Sequence, residues 1–458
     1  MKHNVDTIHF YHTNDVHSHF DSWPQISRFL TGKKDEHIAG GAACYLFDIG
    51  DHVDRSHPYT EGTEGKGNVL LLNEANYDAV TIGNNEGITM SKQALEELYE
   101  EANFDVILGN LFEMNGKRPE WAVPYKIYLT KKGTRIGVIG ATALYTEFYS
   151  KLGWKITSPR TKLKEIAESI LEKTDMIICL SHMGIVEDEL LASECKVIDV
   201  ILGAHTHHLF HEGKLVEETL LAATGKFGAF VGHVTLQFDT NTKTIIDRSA
   251  VLYPTETLQS ERGDAQKVSD LIAAGNAAME ERAFYNPSPL LQNLLASGTL
   301  SSFFGRALIA HTGADCAIFN AGIFLKSLDA GWVTRGDLHA CLPHPINPCI
   351  ITLDGSELLN IYKLSLNEEW PQIKIKGLGF RGTLMGAMIY SRLHMNQDEQ
   401  LIAGNRKVVP GEKYTLATLD MFTFGFFFPS LKNAEKEYLM PELIRDVVAL
   451  YGRKYFKE

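Results

Sequence analysis

The sequence predicts an α/β protein whose helices pack on layered sheets. Three observations carry that expectation. Short apolar β runs alternate with helical stretches through the first half, and the run of each strand is followed by polar residues. At 458 residues the chain is also too long for one ordinary core, so a second domain should follow the first.

The first run, TIHFYHTN (7–14), alternates apolar and polar residues as a half-buried strand does. Fuller apolar runs follow at CYLFDIG, DAVTIGN, FDVILGN, TRIGVIGAT, DMIICLSH and VIDVILGAH. Between them, SKQALEELYEEA (91–102) and SPRTKLKEIAESILEKT (158–174) read as helices. Ser91 stands at an N-cap, and Ser158 with Pro159 occupy cap and first-turn positions. Beyond about residue 220 the pattern becomes hairpin-like, at LLAATGKFGAFVGHVTLQFD and TKTIIDRSAVLYP. Residues 256–285 are polar and helical in pattern, with few large apolar residues, and read as the connection between a domain at 1–255 and another at 286–458. The second has its own apolar periodicity.

Hydrophobic residues make up 44% of the chain and charged residues 22%, the balance of an ordinary soluble protein. The net charge of −13 argues against a nucleic-acid polymer as partner, because phosphate backbones are held by clustered Lys and Arg. Lys33-Lys34 and Lys131-Lys132 read as solvated turns. The start, MKHNVDTIHFYHTND, opens on Met1 and lacks the pattern of a secretory signal, and no apolar run approaches membrane length. Cysteines 44, 179, 195, 316, 341 and 349 are scattered without a CxxC pair, which suits reduced thiols. The expectation is a cytoplasmic chain, free of membrane, with no obligate protein partner evident.

The strand endings carry the chemistry. TIHFYHTN ends in Asp15-Val16-His17, FDIG in Asp51, VTIG in Asn84, ICLS in His182, and VILGA in His205-Thr206-His207. In layered α/β folds the carboxyl ends of strands line one edge, so these residues should converge in space. A lone His or Asp in such a place is ordinarily a core residue or a cap. Five endings in this order, including D-x-H and H-x-H, are hard to assign to turns. Two carboxylates, an amide oxygen and four imidazoles exceed what one ion needs and suit two ions sharing a carboxylate. GTEGKGN (62–68) lacks the P-loop spacing, and Arg335-Gly336-Asp337 reads as a loop and cap.

NDVH, GD-H-V-D, GNNE, SHMG and GAHTH, in that order and spacing, resemble the calcineurin-like metallophosphoesterases. The whole chain resembles the bacterial 5′-nucleotidase and 2′,3′-cyclic phosphodiesterase group. The resemblance implies a layered α-β-β-α metallophosphatase domain followed by a 5′-nucleotidase-type C-terminal α/β domain. It implies two divalent transition-metal ions, with Asp15, His17 and His207 on one, Asn84, His182 and His205 on the other, and Asp51 as bridge. Such donors suit Mn, Zn, Fe or Co. It also implies a phosphorylated, nucleotide-like small molecule as substrate.

Two departures from the family pattern stand out. The family's turn reads GNHE followed by Phe and Asp, and that His, oriented by the Asp, helps protonate the leaving group. Here Asn85 stands at the His position and Ile88 at the Asp position, so the catalytic position of the turn carries no proton donor. In the C-terminal half, INPCIITLDGSELL (346–359), G-W-V-T-R-G-D-L and ATLDMFTFGFFFPS resemble the family's substrate domain. The family's N-G-G-x-R becomes Asn320-Ala321-Gly322-Ile323-Phe324 without the Arg, and its G-G-D-G-Y-type loop becomes FGFFFP. Candidate substrate contacts are therefore Asn320, Gly322 and the rings of Phe380, Phe426, Phe427 and Phe428, any of which offers a face to a base. The same phenylalanines also read as core. A hydrolase is the first expectation; a low-turnover metal-containing protein that senses a phosphorylated ligand is the alternative.

Overall fold

The computed structural model describes residues 5–456. Residues 1–4, the start of the segment read above for a secretory signal, lie outside the described residues. The chain forms two compact units, Met1–Gly275 and Asn276–Glu458.

The strands of the two large sheets of the first unit are β1 (Val5–Thr13), β2 (Ala43–Asp48), β3 (Ala79–Val80), β4 (Asp105–Val106), β5 (Tyr125–Leu129), β6 (Arg135–Thr142), β7 (Met176–His182), β8 (Val200–Gly203), β9 (Lys214–Val216), β10 (Thr219–Ala222), β11 (Phe230–Asp239) and β12 (Thr244–Pro254). They make two six-stranded sheets, ordered β12-β11-β1-β2-β3-β4 and β9-β10-β8-β7-β6-β5. In the first sheet β1 to β4 run parallel and β11 and β12 join antiparallel, whereas the second sheet is parallel at its centre and antiparallel at both margins. The sheets face each other across one core in which Ile8, Phe10 and Phe47 of the first meet Val138, Ile178 and Leu202 of the second. The helices include α1 (Trp23–Ala39), α2 (Asn84–Thr89), α3 (Lys92–Leu98), α4 (Pro159–Ile170), α5 (Ile185–Glu194) and α6 (Asp264–Ala278). Leu163, Ile166 and Ile170 of α4 and Leu191 of α5 seal the outer face of the second sheet, while α1 packs on β2. The result is the α-β-β-α layering.

Register sets up the site. Thr13 of β1 pairs with Asp48 of β2, and Ser181 of β7 with Gly203 of β8, so neighbouring strands end level. The loops that follow leave together and are stitched: the Asp15 amide donates to the Gly50 carbonyl at 3.0 Å, and the His17 amide to the Asp51 carbonyl at 2.8 Å.

Ser91 caps α3 by accepting from the Ala94 amide at 3.1 Å, and Pro159 opens α4 behind Ser158. Lys33 and Lys34 are not on a turn. They lie within α1, paired with Glu36 at 2.7 Å and Asp78 at 2.8 Å. The helix was hidden in the sequence because only Trp23, Ile26 and Leu30 of its seventeen residues are buried. Residues 256–285 are not a single helical connection either. Helix α6 starts at Asp264, which binds Arg28 of α1 at 2.9 Å, whereas Arg282–Asn286 is a strand of the second unit.

The second unit contains β13 (Arg282–Asn286), β14 (Cys316–Asn320), β15 (Gly331–Thr334), β16 (Pro348–Asp354), β17 (Met388–Ser391), β18 (Lys413–Leu419) and β19 (Glu435–Tyr438). Five of them form a sheet in the order β17-β14-β18-β16-β19. Arg335-Gly336-Asp337 opens a short helix, Arg335–Cys341, in which Thr334 and Asp337 cap each other. All six cysteines are buried and unpaired. Among the described residues, no helix is long and apolar enough to cross a membrane.

Candidate metal centre

The structure brings all seven strand-end side chains into one group at the carboxyl edge of both sheets. His17 Nε2 lies 3.3 Å from His207 Nε2 and 3.7 Å from Asp15 Oδ1, and His207 Nε2 lies 3.4 Å from Asp15 Oδ1. On the other side His205 Nδ1 is 2.8 Å from Asn84 Oδ1, with the His182 and His205 rings 5.3 Å apart. Asp51 Oδ2 is common to both sides, 3.7 Å from His17 Nε2 and 3.4 Å from His182 Nε2.

The backbone is bent to achieve this. Asp15, His17, Asp51, His205 and His207 all have φ between +49° and +74°, a left-handed conformation that non-glycine residues rarely adopt. Gly83 is required for a different reason: a Cβ there would lie 2.1 Å from Asp51 Oδ1. Glu86 locks the arrangement. Its buried carboxylate accepts from the amides of Gly83 (2.8 Å), Asp51 (3.0 Å) and Val53 (2.9 Å). Glu86 is the last residue of GNNE, and its place at the third position of a helix is the sequence signal of this role.

Asn85 is buried and turned toward His17. Its Nδ2 lies 2.8 Å from His17 Nδ1 and donates to the Val53 carbonyl at 3.1 Å. The amide thus orients an imidazole of the site. Ile88, one helical turn on, is half-buried.

The donor set fits cations. Among the described residues Asp15 and Asp51 have no lysine or arginine partner, although both are buried. His182 Nδ1 faces the Ile49 carbonyl at 2.7 Å; a carbonyl only accepts, so Nδ1 carries hydrogen and Nε2, which has no hydrogen-bond partner, is left for an ion. Burial works to raise the Asp51 carboxyl, but the His182 and His17 rings hold it well below the usual range. Burial would likewise depress His182, and the Asp51 carboxylate overrides it, pushing the imidazole up to about 10. His205 falls to about 4, through burial first and the charge of His182 second.

A proton and an ion therefore compete for His182 Nε2. With the protonated form favoured below about 10, metal affinity should rise with pH, and uptake at pH 7 should release a proton. Calorimetry of Mn²⁺ or Zn²⁺ binding in buffers of different ionisation enthalpy measures this directly. Equal enthalpies in all buffers would show that His182 carries no proton to displace.

A second group of imidazoles, His9, His37 and His233, has its donor atoms within 4.8 Å of one another. It lies on the opposite face of β1 from Ile8 and Phe10. The His9 and His37 rings stack at 3.6 Å, so their in-plane lone pairs do not converge. The close contacts are instead His9 Nδ1 to His233 Nε2 (2.9 Å) and the Tyr11 hydroxyl to His37 Nε2 (3.0 Å).

In the second unit the predicted substrate residues divide. Asn320 is fully buried and donates to the Met385 carbonyl at 2.8 Å, and a Cβ on Gly322 would lie 2.0 Å from the Leu384 carbonyl oxygen. Both shape the backbone. Phe380 stacks under His344, and Phe427 and Phe428 pack on Trp370 and Phe422. These three rings are core, because their faces are already covered. Phe426, 73% exposed, is the one that offers a free face.

Comparison with known proteins agrees with the fold. Residues 8–209 match the family described as calcineurin-like phosphoesterase. The chain is 39% identical to the protein described as uncharacterized metallophosphoesterase YunD of Bacillus subtilis (strain 168), over 97% of this chain and 98% of that protein. Among solved structures, a putative 5′-nucleotidase from Staphylococcus aureus covers 97% of this chain and 96% of its own at 17% identity, with a TM-score of 0.68. The NAD nucleotidase of Haemophilus influenzae covers 98% and 97% at 15% identity, with a TM-score of 0.65. Such identities speak for fold alone; the likeness to YunD, spanning both units, speaks for family. The chain belongs to the calcineurin-like metallophosphoesterases, hydrolases that act on phosphoester bonds.

Proposed function

We propose that this chain is a dinuclear metal-dependent hydrolase of nucleotide-like phosphoesters or phosphoanhydrides with good leaving groups. The observation that carries the reading is the position of Asp51 Oδ2, within 3.7 Å of His17 on one side and 3.4 Å of His182 on the other. Asp15, His17 and His207 would hold one ion, Asn84, His182 and His205 the other, and Asp51 would serve both. Oxygen and imidazole donors suit Mn, Zn, Fe or Co. Two such ions would supply, when bound, a lowered pKa for water near neutral pH and positive charge for a phosphoryl group.

The chain's own residues position and exclude. Glu86 fixes the Asp51 loop through three amides, Asn85 aims His17, and the Ile49 carbonyl aims His182. Neither Asn85 nor Ile88 gives a proton to a departing alkoxide, which is why good leaving groups are proposed. Relatives of the fold titled 5′-nucleotidase and NAD nucleotidase support a nucleotide-like substrate. Six buried free thiols support a reducing, cytoplasmic setting.

The test is a panel assay of the Mn-loaded protein against nucleotides, cyclic nucleotides, dinucleotide pyrophosphates and activated aryl phosphates. Activity should concentrate on the last two classes. His205→Ala and His207→Ala should each lower occupancy of mainly one ion and abolish turnover. Full activity of both variants at saturating metal would make the H-x-H turn structural and the site assignment wrong.

A further inference from the structure

Beside the Asp15 and His17 half of the centre stands a pair of rings that the metal chemistry leaves unused. Phe227 lies in the loop before β11 and is 41% exposed, with φ +63°, a strained backbone for an aromatic residue. Its amide donates to the Asp15 carbonyl at 2.7 Å. Its ring stacks on His19 with centroids 3.8 Å apart and planes 21° apart, and meets the His17 ring edge-on at 5.8 Å. The His19 ring is itself tied, Nδ1 donating to the His17 carbonyl at 3.0 Å. The His19 ring and the Phe227 main chain are therefore each tied to the carbonyl of a strand-end residue of the centre. Lys226 stands close by, its ammonium 4.5 Å from the Phe227 centroid.

Packing does not explain this placement. A phenylalanine left 41% exposed forgoes much of the burial its ring could give, and the left-handed backbone costs stability that a glycine would recover. The arrangement does provide an aromatic surface against the edge of the His17 ring, with the Lys226 ammonium over the Phe227 ring. Planar rings stack on such a surface whatever their hydrogen-bonding edges.

We propose that His19 and Phe227 form a stacking shelf for a planar aromatic group carried on the phosphoester, with Lys226 turning from the ring toward a substrate oxygen. The proposal rests on the phosphoesterase reading for its place in the reaction and assigns a specificity determinant to the first unit of the chain. The shared chemistry is a flat π-system near the phosphoryl group. The ring of an aryl phosphate brings it directly, and the base of a nucleoside monophosphate brings it through a ribose.

Binding tests the shelf apart from turnover. Phenylphosphonate and methylphosphonate, which cannot be hydrolysed at a P–C bond by this chemistry, are titrated calorimetrically into the Mn-loaded protein. Phenylphosphonate should bind more tightly by on the order of ten- to a hundredfold, the range expected for one stacked ring. Phe227→Ala should bring that ratio near one, and Phe227→Trp should keep or widen it. Metal content read on the same samples shows that the centre is intact in each variant. An unchanged phenyl-to-methyl ratio in Phe227→Ala, or equal binding of the two ligands to the wild type, overturns the shelf. Turnover of p-nitrophenyl phosphate and AMP by the wild type and both variants then separates the sources: a KM rise in Phe227→Ala for the aryl ester alone places the shelf at directly attached rings, and a rise for both extends it to nucleotides. A wild type that hydrolyses no phosphoester, yet shows the phosphonate ratio, would refute the phosphoesterase reading and leave the shelf standing.

Discussion

Asp51→Ala is expected to release both metal ions at once and to reduce hydrolysis of every substrate by at least on the order of 10²–10³-fold, the scale of losing one well-placed electrostatic group. The expectation follows from position. Asp51 Oδ2 faces an imidazole of each half of the centre, and Oδ1 accepts the Asn85 amide at 2.7 Å, so alanine removes a ligand from two sites and an anchor from α2. Elemental analysis after gel filtration measures it. Two tightly held ions in the variant would exclude the shared role, even if activity were lost.

The second large effect concerns leaving groups. Wild-type protein should favour activated aryl esters and phosphoanhydrides over ribose alkoxides by about 10²–10⁴-fold, the usual worth of general acid catalysis. Asn85→His combined with Ile88→Asp should raise kcat mainly for the poor leaving groups, since positions 85 and 88 are neighbours on one face of α2. The single Asn85→His change should recover only part. It gives up the contacts that Asn85 makes with His17 and Val53, and it leaves the new imidazole without a partner. Brisk wild-type hydrolysis of AMP would mean that another group already supplies the proton.

The sequence disclosed the centre because strand-end chemistry is a pattern of position. Asp15, Asp51, Asn84, His182 and the His205–His207 pair each follow an apolar run, and parallel strands that end level must deliver them together. What side chains face after arrival is set by packing at long range, and there the reading was blind. Asn85 turned toward His17 rather than outward. Phe380, Phe427 and Phe428 went into the core beside an exposed Phe426, and nothing in FGFFFP distinguishes one ring from the next. Helix α1 was obscured by its polarity, while His19 and Phe227 come together across two hundred residues of sequence in a ring stack that no spacing rule encodes.

The left-handed backbones at Asp15, His17, Asp51, His205 and His207 have a consequence for the chain's resistance to proteases. Each costs about 1–2 kcal/mol relative to an ordinary conformation, against the roughly 5–15 kcal/mol that holds a typical domain folded. Ions that bind the folded chain and not the unfolded one return stability by mass action. The ion-free chain should therefore be cut by proteases faster than the Mn-loaded chain, which limited proteolysis of the two forms measures.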